Sequence, residues 1–421
     1  MPYFISGVTA DHNDLVARQP SEFKKLNDVD VLTRHRALGI DAANHTVRIA
    51  DLEGGSEFDA HYTRLLISTG ARAFVPPLDG ASLEGVFTIR RLADSIRIKK
   101  FVKDRHPTRA VIVGAGPIGM EMCESFRGIG LEVTLLEMSE QVMPFMDADM
   151  AARVQARLEE EGVNCMLGQG LTGIEGDPSG SVKSVGTGGG SIAADIVLLG
   201  IGVRPESDLG AQAGVELGAR GALRIDGHMK TNVPDVYAAG DCATTTHAIT
   251  GTETWIPLGS TSRKQGRAAA DNMFGADVEF RGVQGTAVVK CFDLTVGRTG
   301  LDEREAAAAG FEPTSVDIEA ESLHEYYPGR GAMFLRLVAD RPTGRLLGAQ
   351  IVGEMSSVAE KRLDVLSVAI SARMSADDLQ YLDLAYAPPY STAIDTPIIA
   401  GNVLASKLQG KICSCTGAGL D

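Results

Sequence analysis

At 421 residues the chain is long enough for two or three hydrophobic cores. Hydrophobic residues make up 44% and charged residues 23%, the balance of a globular protein rather than a disordered one. The 40 Lys and Arg face 55 Asp and Glu, and a net charge of −15 repels phosphate backbones and anionic lipid, so neither nucleic acid nor a membrane is an expected partner. The amino terminus, MPYFISGVTADHND, has no basic stretch followed by an apolar one, and no apolar run approaches the ~20 residues of a bilayer span. A cytoplasmic location is therefore expected.

The most strongly patterned segment is Arg109–Glu137. Val111, Ile112 and Val113 form a β-branched strand, a glycine turn opens a helix, and Val133, Thr134 and Leu135 form a second strand. Within VIVGAGPIGME, Gly114, Gly116 and Gly119 make a G-x-G-x-x-G pattern directly after the strand. Gly114 permits the tight turn, Gly116 admits a pyrophosphate close to the backbone, and Gly119 lets the helix pack against its strand. Pro117 and Ile118 complete the cradle, where unpaired helix-end N–H groups favour phosphate. Glu137 ends the second strand ~20 residues on, where a carboxylate accepts from a ribose 2′-hydroxyl and repels a 2′-phosphate. A nicotinamide dinucleotide is the expected ligand, NADH over NADPH.

A charged amphipathic helix is predicted at Ala148–Glu161, with Met150, Val154 and Leu158 on one face and Gly162 to end it. The apolar run Ala194–Gly200 reads as a buried parallel strand. From about residue 286 the texture changes. Strands at Met333–Val338 and Leu346–Val352 are joined by a Pro-Thr-Gly turn at Pro342–Gly344, a helix is predicted over Ala359–Arg373, and Ser375 with Asp378 forms a capping-box signature. These elements read as a separate α+β domain.

Several further motifs, separated in the chain and in consistent order, resemble the pyridine nucleotide-disulfide oxidoreductase superfamily, in particular its branch of coenzyme A-disulfide reductases and NADH oxidases. TNVPDVYAAGDC, Thr231–Cys242, is similar to that family's second flavin motif. The resemblance makes Asp241 an acceptor for the ribityl hydroxyls of FAD, with Gly240 leaving room for close backbone approach. LLISTG, which ends in Thr69 and Gly70, and GIGVRP, which contains Gly202, resemble the two linkers between flavin and nicotinamide domains. The first departs from the usual pattern, since Tyr62 is followed by Thr63 where an Asp is common. PLGSTSRKQGR, with Leu258 and Ser260, resembles the start of a helix whose positive end faces the flavin ring. The competing reading of this segment is a surface helix capped by Ser262.

EYYPG at Glu325–Gly329 and AYAPPYS at Ala385–Ser391 resemble motifs of the family's dimerisation domain. In coenzyme A-disulfide reductases two such tyrosines reach the partner subunit's active site. The resemblance implies Tyr326 and Tyr386 as catalytic residues, Tyr327 and Tyr390 as alternatives, and a homodimer. A phenol there donates a hydrogen bond or proton to a leaving thiolate or a peroxide oxygen. The competing reading is packing in Pro-rich turns.

The resulting expectation is an α/β protein with two interleaved Rossmann-like dinucleotide-binding domains and a C-terminal α+β dimerisation domain. Residues 1–103 and 226–285 would form the FAD-binding domain, 104–225 the NAD(H)-binding domain, 286–411 the dimerisation domain and 412–421 a tail. Family members open with a further strand–glycine turn–helix unit and a redox cysteine before a Pro-Tyr stretch, whereas this sequence begins at Met1-Pro2-Tyr3. The flavin domain is thus expected to lack ~50 upstream residues, the size of one βαβ unit with its approach.

Cys123, Cys165, Cys242 and Cys291 read as small core residues, and Cys413 and Cys415 as part of a terminal tail rather than an electron relay. No metal ligand set is expected. The expected function is FAD-dependent transfer of hydride from NADH to a small disulfide similar to coenzyme A disulfide, to a persulfide or to oxygen. The alternative, from another class, is a flavin-free NADH-binding subunit or an inactive truncated homologue.

Overall fold

The β-branched run at Arg109–Val113 becomes the middle of a parallel sheet in the computed structural model, which describes residues 1–411. It pairs in register with Glu132–Leu136 on one side and Ile196–Leu199 on the other, and Val163–Met166 follows Glu132–Leu136, all parallel. Ala110–Val113 and Ile196–Leu199 are buried, as strands covered on both faces must be. The helices Pro117–Gly128 and Ala148–Glu160 cover this sheet with Met120, Met122 and Phe126, and with Met150, Val154 and Leu158.

The chain divides into two units. The first comprises Met1–Pro77, Phe87–His106 and Ile201–Val283; the second comprises Leu78–Val86, Pro107–Gly200 and the chain from Gln284 onward.

In the first unit, His35–Asp41, Thr46–Asp51 and Glu57–His61 form an antiparallel sheet, and Leu65–Ile67 pairs in parallel with Val236–Ala238. Ile67, Val215, Leu223, Val236, Ala238, Cys242 and Ala243 make one core beneath that pair. Ala71–Ala73 and Val203–Pro205 pair antiparallel, and Gly259–Met273 is a long helix.

In the second unit the parallel sheet is accompanied by a five-stranded antiparallel sheet. Its order is Ala287–Cys291, Leu294–Gly300, Leu346–Glu354, Ala332–Asp340, Pro313–Glu321. Helices Ala359–Ser371 and Thr396–Leu408 pack on it. The helix predicted to reach Arg373 stops at Ser371 because Arg373 takes the left-handed conformation (φ 57°), and Met374 N–H donates back to the Ala369 carbonyl at 3.0 Å. Ser375 caps the next short helix with the reciprocal bonds to Asp378 that its spacing predicts. Among the described residues no helix is long and apolar enough to cross a membrane.

Candidate functional site

In the second unit, Gly114 (φ 102°) turns the chain out of Arg109–Val113, and Gly116 is the N-cap of Pro117–Gly128 with no side chain capping it. Gly119 is obligatory for packing, since a Cβ there would lie 2.1 Å from the Gly114 carbonyl oxygen. A Cβ on Gly116 would meet nothing within 4 Å, so the space in front of the turn is open. Pro117 has no N–H to satisfy, and the amides of Ile118 and Gly119 lie in the first turn, where no intrahelical carbonyl reaches them. Glu137 sits beside this turn: one carboxylate oxygen accepts from Ala115 N–H at 2.7 Å and the other from Ser139 N–H at 2.8 Å. Amide donors, open space and an acceptor-only carboxylate fit the diphosphate and ribose of a dinucleotide.

In the first unit, Gly240 (φ 83°) follows Val236–Ala238 and its N–H donates to Gln265 Oε1 at 2.8 Å. Asp241 is almost fully enclosed. Ser262 Oγ donates to one of its oxygens at 2.6 Å, Arg90 forms an ion pair with the other, and Trp255 Nε1 donates to its carbonyl at 2.9 Å. Ser262 therefore orients Asp241 instead of capping the helix, whose N-cap is Leu258. Ser260 lies in the first turn, where there is no acidic residue and no capping side chain, so the positive end of the helix is uncompensated. Thr69 donates to the Glu206 carbonyl, the Gly70 carbonyl accepts from Glu206 N–H at 2.9 Å, and the Gly202 carbonyl accepts from Phe74 N–H at 3.0 Å. This cluster of carboxylate, glycine turn and bare helix end fits the ribityl chain and ring of a flavin.

Tyr326 and Tyr386, distant in sequence, meet around one residue in the second unit. The His324 ring stacks on Tyr326 (centroids 5.6 Å, interplanar 9°) and makes a T-shaped pair with Tyr386 (6.2 Å, 85°). Tyr327 and Tyr390 instead line a cavity of about 520 Å³ with Lys361, Arg362 and Asp395.

Cys123, Cys242 and Cys291 are buried, whereas Cys165 is half-buried and so not the core residue expected. Burial pushes the Cys165 thiol up to about 11 and the Cys291 thiol up to about 12, and raises Cys123 well above the usual range. These three stay protonated at neutral pH. Cys242 directs its thiol to the carbonyls of Ala239 and Ile67 at 3.4 and 3.5 Å. Cys413 and Cys415 lie outside the described residues. Among those residues no cluster of three or more His, Cys, Asp or Glu is arranged to hold a metal ion.

Arg90, Gln265 and His324 were not singled out from the sequence. Ser262 and Gln265 are three residues apart on one helix, a spacing that puts both on one face and gives a usable signal. Arg90 carries none, being 151 positions from Asp241.

A glycine-turn βαβ unit with a carboxylate held against the turn, a second glycine–aspartate turn beside a helix start, and an antiparallel sheet are the parts of a flavin- and nicotinamide-dependent oxidoreductase. The chain belongs to the pyridine nucleotide-disulphide oxidoreductase family: its residues 3–266 match that family's model and residues 286–398 match the model of its dimerisation domain. It is 34% identical over 412 residues to an NADH oxidase of Methanocaldococcus jannaschii, covering 98% of this chain and 90% of that protein. It is 30% identical to a coenzyme A disulfide reductase of Staphylococcus haemolyticus, over 93% of this chain and 86% of that one. The solved structure of an NAD-dependent persulfide reductase from A. fulgidus superposes with a TM-score of 0.93 at 37% identity, covering 97% of this chain and 76% of that one.

Proposed function

We propose that the protein transfers reducing equivalents from NADH, through FAD, to a small acceptor: a disulfide similar to coenzyme A disulfide, a persulfide, or oxygen. The observation that carries the proposal is Glu137, whose carboxylate is held against the glycine turn by Ala115 and Ser139 N–H groups. It presents fixed negative charge where the 2′-position of an adenosine ribose would lie, which favours NADH and disfavours the 2′-phosphate of NADPH. Residues 104–225 would carry the nicotinamide nucleotide, 1–103 and 226–285 the flavin, and 286–411 the contact with a second copy in a homodimer.

When bound, the flavin supplies the hydride-accepting and electron-passing chemistry. The chain's part is electrostatic. The uncapped start of Gly259–Met273 offers positive potential to developing negative charge, Asp241 accepts from the ribityl chain, and Tyr326 and Tyr386 donate hydrogen bonds to the departing atom of the acceptor. The acceptor classes are those in the names of the relatives, an NADH oxidase, a coenzyme A disulfide reductase and a persulfide reductase.

The test is purified protein supplied with FAD, with flavin uptake followed by fluorescence and NADH consumption followed with coenzyme A disulfide, with polysulfide and with air alone. Turnover with one acceptor, faster with NADH than NADPH, is expected. Protein that binds NADH but stays colourless and turns nothing over would move the reading to a flavin-free nucleotide-binding subunit.

A further inference from the structure

The tyrosine motifs lie on irregular chain: residues 323–330 connect two strands, and 380–395 connect two helices. Tyr326 is 71% exposed and Tyr386 49% exposed, so little packing fixes either ring. What joins them is His324. Its ring lies nearly parallel to Tyr326 at 5.6 Å and nearly perpendicular to Tyr386 at 6.2 Å. The same ring is met from a third residue, Ala393, whose N–H donates to His324 Nε2 at 3.4 Å. One imidazole therefore couples the loop bearing EYYPG to the segment bearing AYAPPYS and to the chain beyond it.

We propose that His324 is a positioning residue that locks the phenols of Tyr326 and Tyr386 into a pair able to address one acceptor molecule. The proposal rests on the functional reading above and deepens it. Two exposed phenols on separate loops sample many rotamers, and an acceptor that needs both must wait for their coincidence. A ring that stacks on one and abuts the other removes most of that freedom before the acceptor arrives. Histidine suits the position because it combines an aromatic face with an acceptor nitrogen for Ala393, so the ring's own rotation is also set. Tyr327 and Tyr390 line the neighbouring cavity instead.

The test compares His324→Ala with His324→Phe, which keeps a ring, and repeats both in a Tyr326→Phe/Tyr386→Phe background. With whichever acceptor the wild type turns over, His324→Ala is expected to lower kcat by up to about 100-fold, since small misplacements cost that much, while KM for NADH stays constant. His324→Phe should recover most of the rate, and the loss should vanish in the double-Phe background. An equal loss in that background, or a Phe variant as slow as the Ala variant, overturns the proposal.

A second arm needs no turnover. With 3-fluorotyrosine incorporated, the fluorine resonance of Tyr326 should be displaced by the imidazole ring current, collapse towards the free-tyrosine position in His324→Ala and stay displaced in His324→Phe. A wild-type spectrum without that displaced signal overturns the pairing. Wild-type protein that turns over no acceptor counts against the functional reading alone, and the fluorine spectra still decide whether His324 holds the tyrosines.

Discussion

Glu137 does two things with one carboxylate. Its oxygens accept from Ala115 and Ser139 N–H groups at 2.7 and 2.8 Å, which uses about two of the roughly four lone-pair positions a carboxylate offers. Under the proposed function the remaining positions would accept from a ribose hydroxyl, so that the side chain would shape the glycine turn and read the sugar at once. Replacing it with Gln keeps one acceptor and puts an N–H₂ donor against a backbone N–H. Glu137→Gln is therefore expected to weaken NADH binding by about tenfold, equivalent to ~1.4 kcal/mol, and to narrow the gap between NADH and NADPH. Calorimetric titration with both nucleotides measures this, and unchanged affinity would mean that the carboxylate serves the turn alone. This residue was legible in the sequence because a glycine turn, a helix and a strand fix its distance from Gly114. Arg90 was not, because its ion pair with Asp241 depends on tertiary placement that no short-range pattern encodes.

At the level of elements, pairing of Ile196–Leu199 with Arg109–Val113 is secured where both strands begin. Asp195 accepts from Thr108 N–H at 3.0 Å, Arg109 N–H at 2.9 Å and Thr108 Oγ at 2.8 Å, and its other oxygen accepts from Arg109 Nη2 at 2.6 Å. The Arg109 guanidinium, with the Thr108 and Arg109 donors behind it, holds this carboxyl well below the usual carboxylate range against the opposing effect of burial. A folded-state pKa below the unfolded value of about 3.9 means that the stabilisation is fully present above about pH 4 and is lost as pH falls towards the folded value. Asp195→Asn should therefore lower stability by about 1 kcal/mol at pH 7, and the gap to wild type should shrink at pH 3. Urea midpoints at the two pH values test it; a gap that stays constant would show that Asp195 acts through geometry and not charge.

These buried parallel strands and their helices were readable because burial on both faces leaves continuous β-branched runs and sharp glycine turns. The antiparallel sheet His35–His61 was not. None of the residues in its strands is buried, so side-chain alternation carries almost no hydrophobic signal.

Across the second unit, one row of side chains ties a helix of the parallel sheet to the C-terminal sheet. Cross-strand register aligns Arg298 with Gln350, Gln350 with Arg336, and Arg336 with Asp317. Three members of that row grip the chain at the start of helix Ala148–Glu160. Arg298 donates to the Phe145 carbonyl, Gln350 Oε1 accepts from Asp147 N–H at 2.8 Å, and Arg336 donates to Asp147 at 2.8 Å and to Asp149 at 2.8 and 3.0 Å. None of this can be read from sequence, because it needs the register of four strands and the position of a helix ~150–200 residues earlier. The side chain of Arg336 is 15% exposed and faces three carboxylates, Asp147, Asp149 and Asp317. Arg336→Met would leave those like charges facing each other with no cation between them. It is expected to destabilise the protein by about 2 kcal/mol, whereas Asp149→Asn, at the solvent-exposed end, should cost less than about 1 kcal/mol. If the row couples the two sheets, Arg336→Met should also speed amide hydrogen exchange along Ala148–Glu160 more than along Pro117–Gly128. Equal acceleration in the two helices would mean that Arg336 contributes to global stability only and not to holding this helix against the C-terminal sheet.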